Sequence, residues 1–146
     1  MSGQGVRALG LDLGARRIGV AVSDRSGTVA TPLEVVLRSG SRQRDHDRIA
    51  GLVADEGAEL VVVGLPLSMD GRLGPAARAA AAEVRALGNV VGVPVITHDE
   101  RLTTVTAERS LREAGLDGRA RRKVVDMVAA AVMLQAWLDF SARQPT

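Results

Sequence analysis

The chain has 146 residues, of which 46% are hydrophobic and 25% charged, with a net charge of +2; this suits one domain with a real hydrophobic core and excludes a disordered or fibrous protein. Cysteine is absent, which excludes a disulfide framework and any thiolate metal site and fits a reducing, cytoplasmic compartment. No window reads as the long uncharged apolar run of a membrane helix, and Met1 to Gly5 lacks the charged-then-apolar pattern of a signal peptide, so a soluble protein with no membrane partner is expected.

The pI of about 10.3 overstates the basic character. Lys123 is the only lysine and there is no Cys or Tyr, so almost nothing titrates between neutral pH and the arginines. The local distribution of charge is more informative. Arg119, Arg121, Arg122 and Lys123 form a basic run; Arg38, Arg42, Arg44 and Arg48 form a looser one broken by Asp45 and Asp47. Arginine forks suit phosphate, yet surface arginine also keeps a protein soluble. Charge alone leaves the solubility reading ahead.

In chain order, Val6 to Leu13 reads as an aliphatic strand stopped by Gly14, and Arg17 to Ser23 as a second. Asp24-Arg25-Ser26-Gly27 is turn chemistry, after which Thr28 to Leu37 forms a third strand. The short connections imply an antiparallel meander. Ser41 can cap a helix through about Asp55, with Ile49, Leu52 and Val53 on one face, ended by Gly57. Leu60 to Gly64 is a wholly apolar strand of the kind buried on both faces. Pro75 opens an alanine-rich helix to about Leu87, and Val93 to Thr97 is a second buried strand leading into His98-Asp99-Glu100. Two helices follow, Thr103 to Ala114 and roughly Arg119 to Phe140. The sum is an α/β domain: a mixed five-stranded sheet, meander plus two parallel strands, flanked by helices. No linker or repeat divides it. A single domain over residues 6–140 is expected, with residues 1–5 disordered and 141–146 frayed.

In open α/β sheets, sites form beyond the carboxyl ends of the parallel strands. Here those ends carry Asp12, the loop Gly64-Leu65-Pro66, and Asp99-Glu100. Asp12 lies between Leu11 and Leu13, where a carboxylate is costly unless a cation compensates it. It could instead cap the amides of the Gly14 to Arg17 turn; a metal ligand is preferred because Gly14 would also let phosphate approach the backbone. Glu100 reads equally as a ligand or as a surface ion pair, and alternation turns Asp99 to the opposite face. Asp126 is the only charge from Val124 to Leu138, with small Ala129 and Ala130 one turn onward. An ion pair with Arg122 is the plainer alternative to a site role.

Three carboxylates without His or Cys ligands suit Mg²⁺ or Mn²⁺, and such a cluster orients a phosphodiester and activates water. His46, among arginines and aspartates, is expected in solvent, and His98 beside the site as packing or support. Gly14, Arg16, Arg17, Arg101 and the Arg119, Arg121, Arg122, Lys123 run are natural contacts to a nucleic-acid backbone. Trp137 and Phe140 are expected in the core, so no stacking platform is visible.

LGLDLGARRIGVAVSD, VVVGLPLSMDGRLG, HDERLTT and KVVDMVAAAVML, in this order and spacing, resemble the YqgF/RuvX family, relatives of the Holliday-junction resolvases within the ribonuclease H-like superfamily. The resemblance runs from about Val6 to Leu138. It implies a ribonuclease H-like fold and a divalent-metal endonuclease that matures the 5′ end of pre-16S ribosomal RNA in bacteria. Its acidic residues would fall on Asp12, Glu100 and Asp126, with Gly14, Arg101, Thr103, Thr104 and Lys123 in support.

Three rivals carry different tests. A resolvase of branched DNA would act as a homodimer with paired sites. An ATPase of the actin, chaperone and sugar-kinase group would share LDLGARRIGVAVSD, but those proteins close two such domains over the nucleotide and this chain has room for one. A non-catalytic RNA-binding scaffold or transcription accessory would make the carboxylates incidental.

Overall fold

Short turns dictate the first half of the fold. β1 (Ala8–Leu13), β2 (Arg17–Ser23) and β3 (Ala30–Leu37) pair antiparallel in sequence order, because their connections leave no room for the dozen or more residues of a parallel crossover. The computed structural model describes residues 5–67, 70–99 and 118–143, with backbone alone for 118–124 and 143. Asp24 closes the second turn: its carboxylate accepts from the Thr28 and Val29 amides and the Ser26 hydroxyl. Those bonds, the Thr28 amide first, hold the carboxyl below its ordinary range. Because the turn claims both amides, β3 starts at Ala30 and not at Thr28 as the sequence pattern suggests.

The second half is built from crossovers. α1 (Arg42–Glu56) is capped by Ser41, whose hydroxyl accepts from the Arg44 amide at 3.2 Å, and Gly57 ends it at φ 63°. β4 (Leu60–Leu65) returns parallel to β1; α2 (Pro75–Gly88) leads to β5 (Val95–Asp99), parallel to β4. β5 begins two residues later than the apolar run, since Pro94 has no N–H to give the ladder and only its carbonyl is used, by the Val61 amide. α3 (Gly118–Arg143) closes the domain, running three residues into the tail expected to fray. The sheet order is β3-β2-β1-β4-β5, the five-stranded mixed sheet that the sequence predicts. The helix expected over Thr103 to Ala114 lies outside the described residues.

Alternation along the central strands divides the core in two. On one face Leu9, Leu11, Ile18, Val20, Val36, Val61 and Val63 pack with Ile49 and Val53 of α1 and Leu87 of α2. Each such side chain contributes about 1.5–3 kcal/mol on burial. On the other face Ala8, Ala21 and Val62 meet Ala130, Ala131, Met133, Leu134 and Leu138 of α3. Small residues bring α3 unusually close. At Gly10, a Cβ would lie 2.9 Å from that of Leu134, and at Gly19 it would run into the Asp126 carbonyl oxygen.

A window within α3, Val125–Ala142, has the length and mean hydropathy (1.3) of a membrane span, but Asp126 and Asp139 interrupt it, so it is not an uncharged run, and its apolar stripe covers the sheet. Two expectations are corrected. His46 is not in solvent but 1% exposed, its Nε2 bonded to Glu83 Oε2 at 2.8 Å. Its partner lies on another helix, which local sequence cannot reveal. Phe140 is 53% exposed, because two residues on from the buried Leu138 it falls on the opposite side of the helix; Trp137 packs against the α3 side of the core.

Candidate functional site

The α3 face of the sheet carries one unusual row. Asp12 is the last even-numbered residue of β1, on the face of Ala8 and Gly10, and pairs directly with Gly19 of β2. On its other side, one residue beyond the Leu11–Val63 pair, comes Gly64 of β4, which pairs with His98 of β5. The half-buried Asp12 therefore projects from between two strands that offer no side chain at its level. Neighbouring strands are about 4.8 Å apart, so among the described residues the row makes a trough one side chain deep, walled by His98.

Asp126 enters this trough from α3. Its backbone carbonyl occupies the space that a side chain at Gly19 would need, one strand over from Asp12 and on the same face. The side chain of Arg122, its expected ion-pair partner along the helix, lies outside the described residues. The Asp126 carboxylate accepts from Arg17 Nε at 2.6 Å, with side-chain exposures of 19% and 29% for the two partners. Arg17 is thus placed on an acid of the candidate site rather than out on the surface. Half-burial strengthens a charge-assisted bond of this length.

The β1–β2 turn borders the trough. The Gly14 amide donates to the Arg17 carbonyl at 2.9 Å, and Arg16 projects into solvent. His98 lies on the Asp12 face by alternation from Ile96, which packs on the α3 side; Asp99 lies on the opposite face. Burial lowers the His98 pKa, against the opposing pull of Asp99, so the ring is neutral at pH 7. Its Nε2 is buried with no hydrogen-bond partner among the described residues. Glu100, Arg101, Thr103 and Thr104 lie outside the described residues. Arg119, Arg121, Arg122 and Lys123 fall on the first two turns of α3, whose backbone alone is described, one turn before Asp126.

Among the described residues no three His, Asp or Glu side chains gather closely enough to hold a metal ion. Asp12 and Asp126 supply two of the hard oxygen donors such an ion needs, and the strand leading to Glu100 ends at the same edge of the sheet. The donor chemistry fits Mg²⁺ or Mn²⁺ and no thiolate-loving metal. Two features have no counterpart in the sequence analysis: Gly19 and the Arg17–Asp126 pair. An isolated glycine in a strand signals close backbone approach and could have flagged the first. The pair joins residues 109 apart and had no local signal.

Comparison with known proteins agrees with this architecture. A protein of Mycobacterium sp. (strain KMS) named "Putative pre-16S rRNA nuclease" is 49% identical over 134 residues, spanning 91% of this chain and 79% of its own length. Same-named proteins of Rhodococcus jostii (strain RHA1) and Synechococcus sp. (strain JA-2-3B'a(2-13)) are each 47% identical, over 141 and 132 residues, and cover 94% and 90% of this chain and 79% and 77% of their own. Among solved structures, Thermus thermophilus RuvC in complex with a Holliday junction substrate superposes over 94% of this chain and 96% of its own, with a TM-score of 0.57 at 21% identity. A second structure of that RuvC gives a TM-score of 0.53 at 18% identity, covering 93% and 96%. These two show the fold alone, which is ribonuclease H-like. The profile of the family described as RuvX: Holliday junction resolvase matches residues 6–140, and the chain belongs to that family.

Proposed function

We propose that this protein is a divalent-metal-dependent endonuclease that hydrolyses phosphodiester bonds of structured RNA, maturing the 5′ end of precursor 16S ribosomal RNA in the cytoplasm. The observation that supports the reading is the placement of Asp12 and Asp126 on one face of the sheet, Asp12 paired with Gly19 and the Asp126 backbone seated on that same glycine. The names of the relatives supply the substrate class. Asp12, Glu100 and Asp126 would hold Mg²⁺ or Mn²⁺, which when bound orients the phosphodiester and lowers the pKa of its water.

The chain's own residues do the rest. Arg17 fixes the rotamer of Asp126 and limits charge repulsion between the two acids. Gly14 gives a phosphate access to the backbone, and Arg16, Arg101, Thr103, Thr104 and the Arg119 to Lys123 run contact the strand through its phosphates, which sets position without reading sequence. A second reading, cleavage of branched DNA by a two-fold dimer, is favoured by the description of the matching family. The test offers both substrates to the purified protein with Mg²⁺ or Mn²⁺: an RNA spanning the 5′ flank of 16S rRNA, and a four-way DNA junction. Cutting of the RNA, lost in Asp12→Asn and Asp126→Asn variants that still bind it, is the expected result. Cutting of the junction alone would establish the second reading; cutting of neither would overturn both.

A further inference from the structure

A second cluster of buried charge lies on the opposite side of the sheet from α3, and its geometry leads back to the trough. Arg38 follows β3 directly. Its Nε donates to the Gly14 carbonyl at 2.8 Å, while its two terminal nitrogens fork onto Glu83 of α2 at 2.9 Å each. Glu83 Oε2 also bonds His46 Nε2 of α1 at 2.8 Å. The Arg38 amide donates to the Arg16 carbonyl at 2.9 Å, so both ends of the residue hold the same turn. All three side chains are largely buried. Burial would raise the Glu83 pKa, yet the bonds from Arg38 and His46 outweigh it and hold the carboxyl below its ordinary range. The glutamate is therefore an anion, and the guanidinium is held in a fixed plane.

Three of the five guanidinium donors are used on Glu83 or the turn in a way that a lysine could not copy, because an ammonium cannot make a planar fork and reach a third acceptor at once. The acceptor chosen, Gly14, is two residues from Asp12, and its amide in turn holds the Arg17 carbonyl. We infer that Arg38 is a positioning residue: clamped by Glu83 and His46, it fixes the β1–β2 turn and through it the placement of Asp12 and Arg17 in the trough. This rests on the nuclease reading only for its catalytic consequence; the mechanical claim stands by itself.

The experiment compares Arg38→Lys and Glu83→Gln with a control, Arg7→Lys. Arg7 makes a similar clamp at the far end of the sheet, to Glu56 and the Ser23 carbonyl. Amide hydrogen exchange by NMR is read at Gly14 and Arg38 against Val62 in the centre of the sheet. The expected result is exchange at Gly14 and Arg38 about tenfold faster in the two clamp variants, with Val62 unchanged and no effect of Arg7→Lys on either; kcat for RNA cleavage falls about tenfold at unchanged KM, the lower end for loss of a supporting partner. Unchanged exchange at Gly14, or equal acceleration at Val62, overturns the inference. Should Arg38→Lys not fold, Glu83→Gln carries the same readout, since it keeps the shape of the side chain while removing its charge and one of its two acceptor oxygens. A wild-type protein that cuts nothing would remove the nuclease reading while leaving the exchange result to decide the clamp.

Discussion

Asp126 on α3 and Glu83 on α2 are the same device used for opposite ends. Each is an isolated carboxylate on a helix of mostly alanine and aliphatic residues, and each faces an arginine delivered by the meander. Glu83 is saturated: both oxygens accept from Arg38 and one also from His46. Among the described residues Asp126 takes a single bond, from Arg17, and its backbone sits on Gly19, the strand partner of Asp12. A buried carboxylate whose lone pairs are all engaged stabilises structure; one left with capacity beside a second acid is equipped to bind something else.

The sharpest way to break that contrast is Asp126→Asn. Metal-dependent RNA cleavage should fall by at least roughly 100-fold, the upper range for partners that merely support a metal site, while thermal unfolding stays nearly unchanged because Arg17 keeps a hydrogen-bond acceptor. A large loss of stability with activity intact would make Asp126 a second Glu83. Conversely, Glu83→Leu leaves the Arg38 guanidinium buried and unpaired, at a cost of about 3 kcal/mol or more, read by urea unfolding.

Gly19→Ala tests the approach of α3. The added methyl meets backbone rather than a yielding side chain, so about 1–3 kcal/mol should be lost, and cleavage should fall with it as Asp126 is pushed off Asp12. Acid titration separates the two carboxylates more gently. Glu83 binds its proton less readily in the folded protein than in the unfolded chain. Its contribution is therefore complete above the ordinary value of 4.5 and is lost as pH falls below that value through the folded one. The stability of Glu83→Gln should consequently fall less steeply with acid than that of the wild type. Arg48→Ala, which removes an exposed partner of Glu34, should change stability by less than about 0.5 kcal/mol; a larger effect would mean that surface pairs matter here as much as the clamp.

Much of this was legible in the chain. β2 is bounded by turn residues on both sides and its limits read directly; Ser41, Gly57 and Pro75 likewise mark the helix ends where the structure has them. Asp126 stood out because nothing else in its run is charged. Glu83 carries a similar signal, but Arg78 and Arg85 on the same helix disguise it as an ordinary solvated face. His46 sits between Asp45 and Asp47 and looks like surface, since its partner is 37 residues away. What escaped is what the sheet joins at long range: the acceptors of Arg17 and Arg38 depend on which strand turns toward which helix.

At Gly19, α3 rests on the sheet main chain itself, the Asp126 peptide against the glycine with no side chain between, while at Gly10 the Leu134 side chain fills the gap. The separation of the two acids is therefore gauged by peptide against peptide, the stiffest contact a protein offers. Drift in the size of the apolar residues on the α1 and α2 side can be absorbed there without altering the gap, which frees that half of the molecule to vary while the spacing of the acids stays constant.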